Sequence, residues 1–589
     1  MKKHYETHVE DTDKLISVAG PILEYKSWYE QYRKLMEEQA QRKYGLYTPT
    51  SEGDDDDFPS ISGMIARYSA SGLTNEEMSK NPVWVDKTGN GHDLQMKNFA
   101  WSEMSGVGGY KLNWGDSNIW SNYITRGLFG TGEVTDNTIH ITSAKTNNSL
   151  FETRASLKSV EYKVLIKGLT DDIYLRYGVF NDGKELWTEI KNDGIYTLPS
   201  YDYDSRYNMK WKVMSQTYPI DCNITIEQLP LYPGALVFDG VDDYGVCENF
   251  PILTKEKGYT VVALRQWITR GEIASGLVSN VKDWFNDGAF LLEYRNVNAD
   301  YFNSPMSFGA IGSEKDLPHI LTYQTSKSYN GVSIITGNFT GTDVLYVGKL
   351  ATRNVGICIN AAIWELVFLD HDATEEELTK IKDYFVKTYP WLFPDQAWTV
   401  TGKTNEDKDR ATIANITGNG NDLRLSNFGF AEGSGYNEEG EYAGYLVTDG
   451  VDDSGRAVGL TISKDFTLVG EWILFSKTSV NAGLSIHPQI HIFNRPEAIQ
   501  ITFRTAGKTL PVKSLKVICS DGRCYDENWN EFKINVGEFI SSNGVLYVAS
   551  NGTYHAQIAF KNLGIYNDQI FSKDDCIKAY NYLQTLKAK

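Results

Sequence analysis

Five short segments of this 589-residue chain occur twice, in the same order. Thr88-Gly89-Asn90-Gly91-His92-Asp93-Leu94 returns as Thr417-Gly418-Asn419-Gly420-Asn421-Asp422-Leu423, and Lys97-Asn98-Phe99-Ala100-Trp101 as Ser426-Asn427-Phe428-Gly429-Phe430. Asp239-Gly240-Val241-Asp242-Asp243 returns as Asp449-Gly450-Val451-Asp452-Asp453. Tyr259-Thr260-Val261-Val262 leads to Trp267, and Phe466-Thr467-Leu468-Val469 leads to Trp472. Val344-Leu345-Tyr346-Val347 returns as Val545-Leu546-Tyr547-Val548. An ordered set of this kind marks a duplicated structural unit. The copies also end alike. Thr374-x-x-Glu377 and Ser572-x-x-Asp575 each precede an apolar stripe at helical spacing, so each β-rich unit closes with one amphipathic helix. Glu375, Glu376 and Glu377 suit the positive end of such a helix.

The spacing between motifs locates an insertion. From the first motif to the Asp-Gly-Val-Asp-Asp motif is 151 residues in copy one and 32 in copy two, which leaves about 119 extra residues near 111–232. That stretch carries its own strand patterns, at Ile139–Thr142, Val160–Ile166, Tyr174–Phe180, Trp187–Ile190, Ile195–Leu198 and Cys222–Leu229. Asn181-Asp182-Gly183 and Asn192-Asp193-Gly194 read as turns between them. The predicted organisation is a helical segment at 1–47, an acidic linker at 48–63 and a first sandwich from 64–110 and 233–392. A sandwich inserted at 111–232 and a second repeat sandwich at 393–589 complete it.

The N-terminal segment stands apart. Ile22, Tyr25, Tyr29, Tyr32 and Met36 continue a 3-4 apolar spacing from Leu15 and Val18, which predicts a helix. Two readings stand for it: docking onto a partner or the chain's own domains, and a short homomeric coiled coil. Asp54 to Asp57 repel one another and read as linker.

Composition excludes several classes. Lys and Arg number 57 against 76 Asp and Glu, a net charge of −19, and no Lys/Arg run occurs, so nucleic acid is not an expected partner. No apolar run is long enough for a membrane-spanning helix, and the polar start is unlike a secretory signal. Six cysteines without zinc spacing, including Cys519 and Cys524 around a hairpin turn, are expected as free thiols.

The segments Asp86-x-Thr88-Gly89-Asn90-Gly91 and Phe238-Asp239-Gly240-Val241-Asp242-Asp243-Tyr244, followed by a strand ending near a Trp, resemble the laminin-G-like, concanavalin A-like jelly-roll family. The resemblance covers about two-thirds of the chain. The whole arrangement is similar to tail and fibre proteins of Bacteroides-infecting, crAss-like tailed phages. Copy two departs from the pattern at Val447-Thr448-Asp449 and Ser454. The resemblance implies a mainly β protein with two jelly-roll sandwiches, the first interrupted, plus a helical start. It implies a non-enzymatic virion component made in the host cytoplasm. Its N-terminal helix would contact other virion proteins, and its sandwiches would contact host cell-surface glycan or neighbouring subunits in a homo-oligomer. A bacterial carbohydrate-binding surface protein and a purely architectural virion protein are the competing readings.

The chemistry-bearing residues fit that expectation. Retaining glycosidases need two carboxyls about 5 Å apart. Strand alternation would supply them from Glu-x-Asp-x-Glu, which does not occur. No cofactor is expected. Asp239, Asp242 and Asp243 are weak calcium candidates, because spacing alone offers too few oxygens. The competing reading has the first Asp capping the turn and the others solvated. Trp101, Tyr110, Trp114 and Trp120, with Trp187, Tyr196, Tyr201, Tyr203 and Trp211 in the insertion, are candidates for stacking on sugar or contacting a partner, against a core role. Trp267 and Trp472 are assigned to the core.

Overall fold

The chain divides into a unit Met1–Phe58 and a unit Pro59–Lys589. The computed structural model describes residues 57–588 apart from 149, 154–161, 182–183, 199–208, 270–274, 281–293, 296–299, 303–308, 311–319, 334–341, 350–357, 432, 441, 476–481, 488–489, 496–497, 504–505, 513, 535, 537–541 and 551–554. The N-terminal stripe Ile22, Tyr25, Tyr29, Tyr32 and Met36 lies outside the described residues, as do Tyr201 and Tyr203.

The second unit is mainly β, and every named strand pair in it is antiparallel. Two long neighbouring strands organise each repeat. In copy one, Thr260–Trp267 pairs with Asn360–Leu369 in an eight-stranded sheet. In copy two, Phe466–Leu474 pairs with Ile558–Asn567 in another eight-stranded sheet. A second sheet accompanies each. The first contains Leu94–Lys97, Tyr244–Glu248 and Val344–Val347, and the other Leu423–Ser426, Ser454–Ile462 and Ser542–Val548. One hydrophobic cluster draws Leu94, Leu345 and Val347 from one sheet and Val261, Ala263 and Phe368 from the other. Another does the same with Leu423, Ala457 and Leu546 against Leu468, Trp472 and Ile565. Two sheets that bury one face each against the other form a sandwich.

The strands of 111–232 form two further five-stranded sheets. One runs Lys184–Ile190, Tyr174–Asn181, Lys210–Met214, Phe151–Thr153, Trp120–Asn122; the other runs Gly194–Leu198, Tyr162–Lys167, Ile220–Gln228, Thr138–Ala144, Gly130–Val134. They share a third cluster, in which Trp120, Phe151, Tyr177 and Trp211 meet Ile139, Ile141, Val164 and Ile226. The predicted Asn192-Asp193-Gly194 turn does not join neighbouring strands. It carries the chain from the first sheet to the second, while Asp193 accepts from the Gly168 and Leu169 amides. Gln228, fully buried, ties the two chain crossings at the base: its Oε1 accepts from the Lys111 and Leu112 amides, and its Nε2 donates to the Leu112 carbonyl.

Both closing helices form. Glu375–Thr388 has a complete capping box from Thr374 and Glu377, and Lys573–Thr585 is capped by Ser572. The inserted sheets touch the second repeat on one side. The Lys163 ammonium lies 4.2 Å from the Tyr580 ring centre, and a side chain at Gly194 would collide with the Asn528 carbonyl. Beside this contact, burial alone would raise the Glu471 pKa. Lys516, Lys561 and Lys163 outweigh it and hold the carboxyl at about 2.

Hydrogen bonds align the copies more securely than letters do. Thr260 Oγ1 donates to the His371 carbonyl and accepts from the Ala373 amide; Thr467 Oγ1 does the same with Gln569 and Phe571. From that anchor, Trp472 takes the position of Arg265, not of Trp267. Trp472 lies opposite Phe560 and Arg265 opposite Ile363, each just after a β-bulge. Trp267 and Trp472 are both buried, but they are not equivalent.

The same alignment exposes a substitution inside copy one. Arg67 Nε meets Glu365 Oε2 at 3.1 Å with both side chains buried, and the Tyr389 hydroxyl donates to Glu365 Oε1 at 2.7 Å. Burial still pushes the Glu365 carboxyl upward against the pull of Arg67. Copy two holds Ala397 and Asn562 at these places. The fold therefore does not require the ion pair, but a lone partner would leave an uncompensated buried charge. Arg67→Ala is expected to destabilise the first sandwich by about 3–5 kcal/mol. Arg67→Ala/Glu365→Asn, which copies the second repeat, should restore most of that loss in urea unfolding followed by tryptophan fluorescence.

Candidate functional site

The Asp-Gly-Val-Asp-Asp turn carries the chain from one layer of the sandwich to the other. In copy one it links Leu236–Asp239 in the eight-stranded sheet to Tyr244–Glu248 in its companion, and Gly240 takes φ +82 at the corner. Asp239 Oδ1 accepts from the Val241 amide at 2.7 Å, and Asp243 Oδ2 accepts from the Asp239 amide at 3.0 Å. Asp243 Oδ1 accepts from Ser105 Oγ at 3.0 Å, and that serine accepts from the Ala100 amide. The Asn98 side chain, held at φ +67, donates to the Asp242 carbonyl. Copy two repeats each bond through Asp449, Asp453, Ser434, Gly429 and Asn427.

This corrects the expectation that the last Asp of each turn is solvated. Asp243 and Asp453 are fully buried, because a layer crossing brings backbone N–H groups inside that need acceptors. The carboxylates of each trio lie within 4.8 Å of one another. With one oxygen from each, three carboxylates supply no more than half of the six to eight oxygens that calcium takes, and Asp243 already directs both of its own at protein donors. The duplicated bonding matches a corner lock better than a calcium cage. Burial and the nearby Asp239 push the Asp243 carboxyl up to about 7. A folded-state value above the unfolded one of about 3.9 gives stability that is complete below about pH 4 and lost as pH rises to about 7. Asp243→Asn should remove that loss. The stability difference between wild type and variant should therefore change across pH 4–7 in denaturant titrations, and stay constant above pH 8.

The candidate aromatics divide sharply. Trp114, Trp120 and Trp211 are buried inside the inserted sandwich, where Trp120 stacks on Phe151 at 4.7 Å and Trp211 meets Tyr177 at 4.8 Å. Trp101 is buried beneath copy one and stacks on Phe99 at 4.7 Å. None of the four offers a ring face to a ligand, so their assignment as contact residues is corrected: each is buried in a hydrophobic cluster. Tyr110 is half-buried beside the crossings at the base of the insertion, its amide donating to the Glu103 carbonyl, and burial raises its pKa.

Trp187 is different. It stands on the edge strand Lys184–Ile190, directly opposite Gly178, in the first inserted sheet. The register places Tyr177, Trp211 and Val213 on the inner face and Arg176, Gly178, Trp187, Glu189, Lys210 and Lys212 on the outer one. A Cβ at Gly178 would come within 2.5 Å of the Trp187 ring, so the indole lies flat across the glycine backbone. The Lys212 ammonium sits 4.6 Å and the Arg176 guanidinium 5.6 Å from the ring centre. Cation–π contacts at exposed sites are worth about 0.5–1 kcal/mol each, weak enough to exchange for a ligand. Arg176 also reaches Glu189 at 3.4 Å, Glu189 reaches Lys191 at 3.0 Å, and Lys191 lies 5.4 Å from the Tyr174 ring centre.

Arg176, Gly178 and Lys212 were not singled out from sequence, although Lys210-Trp211-Lys212 carries the alternation that sends both lysines outward. The contacts with the second repeat, through Lys163 and Gly194, belong to the other inserted sheet. The Trp187 face is thus the outer surface of the layer turned away from that contact.

No protein-family model and no curated protein matches this chain. Among solved structures, the Trypanosoma rangeli sialidase in complex with sialic acid is 9% identical over 78% of this chain and 84% of that one, with a TM-score of 0.23. The binding domain of botulinum neurotoxin serotype C1 is 10% identical over 58% and 91%, with a TM-score of 0.22. The binding domain of Paraclostridial Mosquitocidal Protein 1 is 8% identical over 56% and 90%, with a TM-score of 0.20. Likeness this low carries no argument about what the chain does.

Proposed function

We propose that this chain is a non-enzymatic binding protein of a tailed-phage particle, built from two concanavalin A-like jelly-rolls, the first interrupted by the inserted sandwich. In this reading the segment 1–47 attaches the chain to other virion proteins, and the inserted sandwich presents a glycan-binding face. The single observation that carries the binding role is the Trp187 platform. An indole held flat on a glycine backbone, outside the core and half-buried, is an apolar surface of the size of a sugar ring, with two cationic donors over its outer face that a ligand can engage in place of the ring. The resemblance of the whole arrangement to tail and fibre proteins of tailed phages supports the particle assignment.

Trp187→Ala removes only an outer-face side chain, so folding is expected to survive while glycan binding falls at least tenfold on a glycan array. An unchanged array profile would contradict the platform. Mass spectrometry of purified particles tests the other half of the proposal, which predicts stoichiometric amounts of this chain.

A further inference from the structure

We propose that the Trp187 face selects acidic glycans, with a uronate-type carboxylate received between Lys212 and Arg176. The inference rests on the reading of this face as a glycan platform and adds the chemical class of the ligand. Two cations occupy the space over the indole. A neutral sugar stacking there would have to displace them with no compensating charge. A sugar bearing a carboxylate exchanges each cation–π contact for a charge-assisted hydrogen bond, while its ring takes the indole face.

The local charge agrees. Of the outer-face residues whose side chains the structure describes, Arg176, Lys191, Lys210 and Lys212 are cationic and Glu152 and Glu189 anionic; the register adds Glu185 to the face, which leaves an excess of one positive charge on a chain whose net charge is −19. Glu189 already sits between Arg176 and Lys191, and Glu152 accepts from the Tyr123 hydroxyl. At physiological salt the screening length is about 8 Å, so a ligand at the indole responds to these neighbours far more than to the distant acidic surface. Lys212 and Arg176 are directly opposite in the strand register, which sets the two donors side by side on adjacent strands.

Isothermal titration of the full chain with hyaluronan oligosaccharides, laminarin oligosaccharides, heparin-derived oligosaccharides and poly-glutamate separates the cases. The proposal expects hyaluronan to bind, with at least a tenfold loss in Lys212→Gln and in Trp187→Ala, and weakening between 50 and 300 mM NaCl. Laminarin bound as well as hyaluronan, with dependence on Trp187, would overturn acidic selectivity and leave the glycan platform standing. Binding of none of the saccharides would overturn both. Heparin bound far better than hyaluronan would overturn the carboxylate assignment in favour of sulfate. Poly-glutamate bound as tightly as hyaluronan would overturn the glycan in favour of an acidic protein partner.

Discussion

An antiparallel sheet with one dry face forces every second side chain inward, and most of what distinguishes this chain follows from that constraint. In Lys210–Met214 it sends Trp211 and Val213 into the core and Lys210 and Lys212 outward. In the neighbouring strand it buries Leu175, Tyr177 and Val179 and leaves Arg176 and Gly178 outside. Gly178, having no side chain of its own, makes room for Trp187 to lie across it. The cationic, aromatic face is thus a consequence of register. A one-residue slip would bury the lysines and expose Trp211.

The same constraint creates a second problem wherever the chain passes between layers, because amides at the corner, such as those of Asp239 and Val241, turn to side-chain acceptors. Both repeats solve it with one buried carboxylate, one serine and one left-handed asparagine. The duplication acts as an internal control. Bonds present in both copies, such as those of Asp243 and Asp453 or Thr260 and Thr467, belong to the fold. Features present in one, such as the Arg67–Glu365 pair or the inserted sandwich, belong to what that copy has become.

Much of the fold is legible in the residues. Six strands within 111–232 and both helix caps follow from period and spacing, which are local properties. What escapes is whatever depends on which strands become neighbours. Asp-Gly-Val-Asp-Asp reads as a turn with its last Asp solvated, yet it is a corner between sheets and that Asp is buried. Trp267 and Trp472 align by letter, but a β-bulge and the partner strand place Trp472 where Arg265 stands. Residue type and place in the chain put Trp114, Trp120 and Trp211 in one group with Trp187. Register separates Trp120 and Trp211, which fill the core, from Trp187, which does not, and Trp114 is buried from the turn that precedes Trp120–Asn122.

Hydroxyl-radical footprinting, read at each tryptophan by mass spectrometry, tests the central claim most directly. The account predicts that Trp187 is oxidised readily in the free chain and protected by saturating hyaluronan oligosaccharide, while Trp120 and Trp211 stay unreactive in both states. Oxidation of Trp120 or Trp211 at the rate of Trp187, or a Trp187 rate that ligand leaves unchanged, would contradict it.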